Sequence, residues 1–100
     1  MIRHIVMWNH KEEFNNEQKA MNAKNVKDEL ESLTKVINGI ISLNVTINPL
    51  SSSNREVILD SLFESEEDLQ KYQIHPEHVR VSQFVGTVLN NRACIDFNED

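Results

Sequence analysis

Hydrophobic positions at the start of the chain alternate with a period of two. One side of this segment carries Ile2, His4, Val6 and Trp8, and the other carries Arg3, Ile5, Met7 and Asn9. This period predicts a β-strand over Met1 to His10. Because both sides contain apolar residues, we expect helices to cover one face of the sheet and a partner to cover the other.

The period becomes helical from Asn15 onward. Apolar residues recur every three to five positions among lysines and acids, at Met21, Val26, Leu30, Leu33 and Ile37. This spacing predicts an amphipathic helix. Gly39 is placed to end it, because a glycine commonly follows the last helical turn.

Alternation then returns in two segments, Ile40 to Asn48 and Glu56 to Glu64, which predict two further strands. The polar turn Ser51 to Asn54 is short, so we expect these strands to form a hairpin. One face of the later strand is predicted to carry Val57, Leu59, Ser61 and Phe63.

Two helical segments and a last strand complete the pattern. Ser65 followed by three acids is typical of an N-cap and a first helical turn, and predicts a helix through Tyr72. Pro76 ends that helix and suits the start of another. The apolar face of this second helix is predicted from Val79, Phe84, Val85, Val88 and Leu89. A strand over Arg92 to Phe97 gives the order βαββαβ, an α+β, ferredoxin-like fold with an antiparallel four-stranded sheet and its helices on one face.

Composition and charge narrow the function classes. The 100 residues are 39% hydrophobic and 26% charged, with two Gly, two Pro and one Cys. These values exclude collagen-like, low-complexity and disulfide-rich classes and predict one domain over residues 1–100. The net charge of −6 and the scattered arginines disfavour nucleic-acid binding. No apolar run approaches the roughly 20 residues of a membrane span, and no signal peptide is visible. A lone Cys94, expected to be buried, fits a cytoplasmic protein.

Specific residues then match a known family. The strand Arg3-His4-Ile5-Val6, the junction Phe63-Glu64-Ser65 and the segment Tyr72 to Val79, which contains His75-Pro76-Glu77-His78, together resemble the stress-responsive dimeric α/β-barrel family, often called Dabb. The resemblance spans essentially the whole chain. It implies a homodimeric barrel in which two sheets pack face to face, which would cover the second apolar face of the first strand.

The resemblance also implies candidate site residues. A plant branch of the family consists of cofactor-free polyketide cyclases in which a Tyr and the second His of this motif do acid–base work, and the matching residues are Tyr72 and His78. That branch leads us to expect polar pocket residues at positions 26 and 57, where this chain has Val26 and Val57. The substitutions indicate a smaller or more apolar pocket.

The chemistry of these residues suits proton transfer. A neutral imidazole at His78 can accept a proton, and the Tyr72 phenol can donate a hydrogen bond to an enolate. Asp is unfavourable inside a strand, so Asp96 needs a partner, and we expect its carboxylate to accept from a His78 nitrogen and fix the tautomer. A satisfied polar cluster that only specifies packing is the alternative reading of the same residues.

Further pocket residues are expected on the sheet. His4 faces the same way as Val6 and is a candidate hydrogen-bonding group, or else a satisfied core histidine. Leu59 and Trp8 are candidate apolar walls, and Trp8 could instead pack in the core or at the dimer interface. His75 and His78 lack a third metal ligand, and no glycine-rich phosphate loop exists, so neither a metal nor a cofactor is expected. His75 is expected to cap or pack locally, and His10 is expected to be solvated.

The sequence therefore supports three functions. The leading hypothesis is a homodimer, joined through the open sheet face, with a small internal pocket that binds a small apolar or aromatic molecule. The second is a cofactor-free enzyme that abstracts a proton next to a carbonyl, with His78, Tyr72 and Asp96 as its catalytic residues. The third is a purely structural dimer whose core is filled.

Overall fold

A computed structural model describes residues 1–100. Its strands and helices follow one another along the chain in the predicted order βαββαβ, with the second helical part in two pieces. Its strands are β1 (Ile2–His10), β2 (Ile40–Thr46), β3 (Val57–Phe63) and β4 (Leu89–Asn98), and its helices are α1 (Asn16–Ser32), α2 (Glu66–Ile74) and α3 (Pro76–Val88). The sheet order is β2-β3-β1-β4, and every neighbouring pair is antiparallel. The prediction of a ferredoxin-like α+β fold is confirmed.

The core lies between the sheet and the helices. Alternate residues of β1 and β3 are buried on the helix side, as the period of two predicts: Ile2, His4, Val6, Trp8 and His10 in β1, and Val57, Leu59, Ser61 and Phe63 in β3. The prediction that His10 is solvated is wrong, because the same alternation carries it into the helix side.

Helix α1 is shorter than the apolar pattern predicts. It ends at Ser32, and a 3₁₀ turn, Leu33–Lys35, follows. Gly39 ends no helix but adopts a left-handed φ of 91° in the turn before β2, where an added Cβ would lie 2.6 Å from the Asp68 side chain. Ile37 is buried beyond the end of the helix, so the apolar spacing outlasts the helical geometry, whereas Met21 is 62% exposed.

The break between α2 and α3 lies where proline predicts it. His75 has extended backbone and Pro76 begins α3, while the His75 Nδ1 accepts from the Glu77 N–H at 3.1 Å. His75 therefore caps α3, which is one of the two roles predicted for it. Within α3, Val81 and Val85 face the core, but Val79 is 42% exposed and lies off the apolar face predicted for it.

Strand β4 begins at Leu89, directly after α3, rather than at Arg92. Between the pairs Met7–Ala93 and Asn9–Asn90, one residue of β1, Trp8, faces two of β4, Asn91 and Arg92, so β4 has a bulge. Asn91 lies in it with a positive φ of 53°, a conformation that asparagine tolerates better than most residues. The bulge lets the strand start without a loop while its later residues keep their pairing with β1.

The edge strand β2 is tied to α1 by a salt-bridged pair. The Lys27 ammonium donates to the Val45 carbonyl at 2.6 Å, and the Glu31 carboxylate accepts from the Val45 N–H at 2.9 Å and from Lys27. These contacts satisfy backbone groups that an edge strand would otherwise leave free.

The face of the sheet that carries no helix remains partly apolar. It presents Ile5, Met7, Ile58, Leu62, Ile95 and Phe97, and the last two are 54% and 42% exposed. No helix in the chain has both the length and the apolar character needed to span a membrane.

Candidate functional site

A cavity of about 260 Å³ lies between the sheet and α3. Its walls come from β1, β3, α1, α2, α3 and the start of β4: His4, Val6, Trp8, Leu30, Leu59, Tyr72, His78, Ser82, Val85, Gly86, Leu89, Asn90, Asn91 and Arg92. The volume is slightly below the usual range for drug-sized ligands, about 300–1,000 Å³. Because a dry cavity of about 150 Å³ can hold benzene, this one has room for a substituted ring.

Tyr72 lines this cavity and carries an unpartnered hydroxyl. Its ring is fully buried and packs between Phe63 and His78, with ring centroids 4.9 Å and 4.3 Å away. The hydroxyl oxygen is buried and has no hydrogen-bond partner in the protein. Burial raises the pKa of this phenol well above its ordinary value of 10.0, so it stays protonated and able to donate.

His78 is fixed in one tautomer by the helix break. Its Nδ1 lies 3.0 Å from the Gln73 carbonyl oxygen, which can only accept, so Nδ1 carries the proton and Nε2 has the lone pair. The carbonyl is free because the Glu77 N–H, its partner in an unbroken helix, donates to His75 instead. Burial lowers the pKa of His78, and the positive charge of Arg92 acts in the same direction, so the imidazole is neutral at pH 7.

Asp96 does not orient His78, contrary to the sequence prediction. Its carboxylate pairs with the Nδ1 of His4, the residue directly opposite it on β1. The cause is the strand register, which places Asp96 beside β1 and leaves it outside the cavity lining. The Gln73 carbonyl takes the orienting role that was predicted for Asp96.

Three potential metal ligands meet beside this pair. The Cys94 Sγ lies 3.9 Å from the His4 Nδ1 and 3.8 Å from the Asp96 Oδ1. Nitrogen, sulfur and oxygen ligands of this kind suit Zn²⁺, but a metal would have to displace the His4–Asp96 hydrogen bond. Cys94 is exposed at the sheet edge rather than buried as predicted, because no helix covers β4 there.

The remaining predicted pocket residues divide into two groups. Leu59 and Trp8 line the cavity, together with His4, Tyr72 and His78. Val26 and Val57 do not line it, although both are buried in the core. The sequence pattern places them on core-facing sides but cannot separate cavity walls from filled core.

Nine of the fourteen lining residues were not predicted as pocket residues from the sequence, and Gly86 and Arg92 are two of them. Gly86 lies inside α3, where glycine costs about 1 kcal/mol relative to alanine, and an added Cβ there meets nothing within 4 Å. Arg92 lies in the β4 bulge and is the one lining residue with a permanent charge. A glycine inside a predicted helix could have indicated a special position from the sequence alone, whereas no sequence feature predicts the bulge that positions Arg92.

The sequence match identifies the family. Residues 2–99 match the model of the Stress responsive A/B Barrel Domain, Dabb. The chain belongs to this family. No curated protein matches the chain in sequence.

Solved structures with similar folds include other small ferredoxin-like proteins. A dimeric protein of unknown function from Bacteroides fragilis has 26% identity and a TM-score of 0.90, with 98% of this chain and 95% of that chain covered. A dimeric ferredoxin-like protein of unknown function from Thermobifida fusca has 19% identity and a TM-score of 0.82, with coverage of 98% and 90%. A hydroxynitrile lyase from Passiflora edulis has 12% identity and a TM-score of 0.80, with coverage of 99% and 94%.

Proposed function

We propose that this Dabb protein is a homodimer that binds a small apolar or aromatic molecule in the cavity beneath α3. The observation that carries the proposal is the Tyr72 hydroxyl, which is buried at the cavity wall and has no protein partner. A buried hydroxyl without a hydrogen bond destabilises a fold, and a ligand that accepts from the Tyr72 hydroxyl would remove that cost. The apolar side chains of Trp8, Leu59 and Val85 would contact the rest of that ligand.

The proposed homodimer forms through the open sheet face. Ile95 and Phe97 project from that face with about half of their surface exposed, beside the half-buried Ile5 and Met7. An apolar patch of this kind on a small domain is typical of an interface. The Bacteroides fragilis and Thermobifida fusca proteins, which share the fold, are described as dimeric.

Gly86 permits a direct test of binding. Because an added side chain at this position enters open space at the cavity wall, Gly86→Leu should fill the cavity while leaving the fold intact, and Gly86→Ala is the matched control. Trp8 is the single tryptophan and lines the same cavity, so its fluorescence reports occupancy. A panel of small substituted benzenes should change Trp8 emission saturably in the wild type and in Gly86→Ala but not in Gly86→Leu. No saturable change in the wild type, or equal binding in Gly86→Leu, would overturn the proposal.

Cofactor-free proton transfer is the second candidate function. It is favoured by the placement of His78, which holds its proton on Nδ1 against the Gln73 carbonyl. The His78 ring centroid lies 4.3 Å from that of Tyr72, with the two planes tilted by 43°, so a base and a hydrogen-bond donor lie side by side. The His78 Nε2 would take a proton from the carbon next to a carbonyl, and the electron pair would pass to the carbonyl oxygen, held by the Tyr72 hydroxyl. The Passiflora edulis protein shows that a protein of this fold can be an enzyme.

Deuterium exchange tests this second candidate without a known substrate. Phenylacetone in D₂O should exchange its protons next to the carbonyl faster with the wild type than with His78→Gln, by about 10²-fold or more if general base catalysis operates. Tyr72→Phe should slow the exchange as well. Equal exchange rates in the wild type and His78→Gln would exclude the mechanism and leave the binding function standing.

A further inference from the structure

The charge on the cavity wall indicates the chemical class of the ligand. Among the fourteen lining residues none is Asp or Glu, although the chain has 16 of them, and Arg92 is the single guanidinium or ammonium group. We propose that the ligand is a small aromatic or aliphatic monocarboxylate, with its ring against Tyr72 and His78 and its carboxylate paired with Arg92. This inference rests on the proposed binding function and specifies its ligand.

Arg92 differs from the other arginines because its guanidinium pairs with no carboxylate or backbone carbonyl and lies beside the Cys94 thiol. Arg3 pairs with Asp60 and Glu99, and Arg80 pairs with Glu77 and Glu29. The Arg55 side chain donates to backbone carbonyls of Asn54 and Asn91. Arg92 makes no ion pair or backbone contact of this kind. A thiol contact uses at most part of its planar set of donors, so the rest can bind a carboxylate with two parallel hydrogen bonds.

The β4 bulge is what brings this side chain to the cavity. Leu89 pairs with His10 and Cys94 pairs with Val6, and both β1 residues face the helix side. Leu89 and Arg92 are three positions apart. In a regular strand, their side chains would therefore point to opposite faces of the sheet. The extra residue in the bulge lets both Leu89 and Arg92 line the cavity. Bulges often redirect a side chain next to a functional site in this way.

The surroundings disfavour a doubly charged anion more strongly than a singly charged one. Val85, Gly86 and Leu89 lie on the wall at the last turn of α3, where the helix carries its partial negative charge. A dianionic phosphate there would face this end of the helix and the net charge of −6 with one arginine to balance it. The side-chain amides of Asn90 and Asn91 add neutral donors that a carboxylate can also use.

Matched probes separate this inference from the binding function itself. We would titrate the protein with 4-ethylbenzoate, 4-ethylbenzamide and 4-ethylphenylphosphonate and follow Trp8 fluorescence. The variants are Arg92→Met and, as a control for the lost positive charge, Lys24→Met on the exposed side of α1. The benzoate should bind the wild type at least about tenfold more tightly than the amide or the phosphonate, as expected for a hydrogen bond to a charged group. Arg92→Met should remove that preference, and Lys24→Met should keep it.

The outcomes discriminate between the two proposals. Equal affinity for benzoate and amide, or an unchanged preference in Arg92→Met, would overturn the role of Arg92 while the cavity still binds a ring. Tighter binding of the phosphonate would overturn the choice of a monocarboxylate. If none of the three probes changes Trp8 emission saturably while a neutral benzene of the panel does, the carboxylate class is wrong. If nothing binds at all, the proposed binding function fails first.

Discussion

Replacing Tyr72 by phenylalanine is expected to stabilise the ligand-free protein. The ring contacts with Phe63, His78 and His4 are all retained, since Phe keeps the ring and removes the hydroxyl alone. That hydroxyl is buried without a partner, and such a group costs about 1–3 kcal/mol. Water inside the cavity would offset part of this cost, so the expected gain is about 1 kcal/mol. For a domain of this size the gain corresponds to a rise in Tm of roughly 4–8 °C.

Ser61→Ala provides the matched control. Ser61 is also fully buried, but its hydroxyl donates to the His4 carbonyl at 2.7 Å. Its removal should cost about 0.5–1.5 kcal/mol, the usual contribution of a hydrogen bond, so the two hydroxyls predict changes of opposite sign.

Urea unfolding at one fixed protein concentration measures both changes, because the stability of a dimer depends on concentration. A loss of stability in Tyr72→Phe comparable to that of Ser61→Ala would refute the reasoning. It would show that the Tyr72 hydroxyl already has a hydrogen-bond partner in the ligand-free protein and is not free to bind a ligand.

Three other predictions follow from burial, the open face and Gly86. Burial lowers the pKa of both His10 and His78 below the ordinary value of 6.5. As the pH falls below about 6.5, these histidines therefore bind protons in the unfolded chain before they do so in the folded chain, and the free energy of unfolding decreases. His10→Gln and His78→Gln should each flatten that decline between about pH 7 and pH 5 in urea midpoints, and an unchanged slope in both would contradict the pKa assignment. Ile95→Glu on the open face should convert the proposed dimer to monomer in sedimentation velocity, whereas Val79→Glu, also an exposed apolar position but on α3, should not. A dimer that persists in Ile95→Glu would place the interface elsewhere. Gly86→Ala should raise the unfolding free energy by about 0.5–1 kcal/mol through helix propensity, and a loss of stability would mean that the space beside Gly86 is not open.

Local sequence periodicity predicts most of this fold because one face of each element is buried. The alternation in β1 and β3 and the proline before α3 place these elements correctly. The hydrophobic pattern misplaces an element boundary where buried residues continue beyond the end of the helix or strand. Ile37 is buried after α1 has ended, so the apolar spacing extends the predicted helix too far. Strand β4 starts at Leu89 without a loop, and nothing in the local sequence marks that change.

The candidate site is less accessible to sequence reasoning because it depends on register. Tyr72 and His78 can be expected together, since one helix break separates them. The partner of Asp96 depends on which β1 residue lies opposite, and the structure makes it His4 rather than His78. Arg92 reaches the cavity only because β4 has a bulge. A hydrophobic pattern contains neither the register nor the bulge.

A crystal structure of the protein grown with saturating 4-ethylbenzoate tests ligand binding in the cavity most directly. We expect the benzene ring to lie beneath α3 in contact with Tyr72 and His78, in each copy of a dimer joined through the open sheet face. A cavity closed by the protein's own side chains, or one that holds water alone at saturating probe, would contradict it.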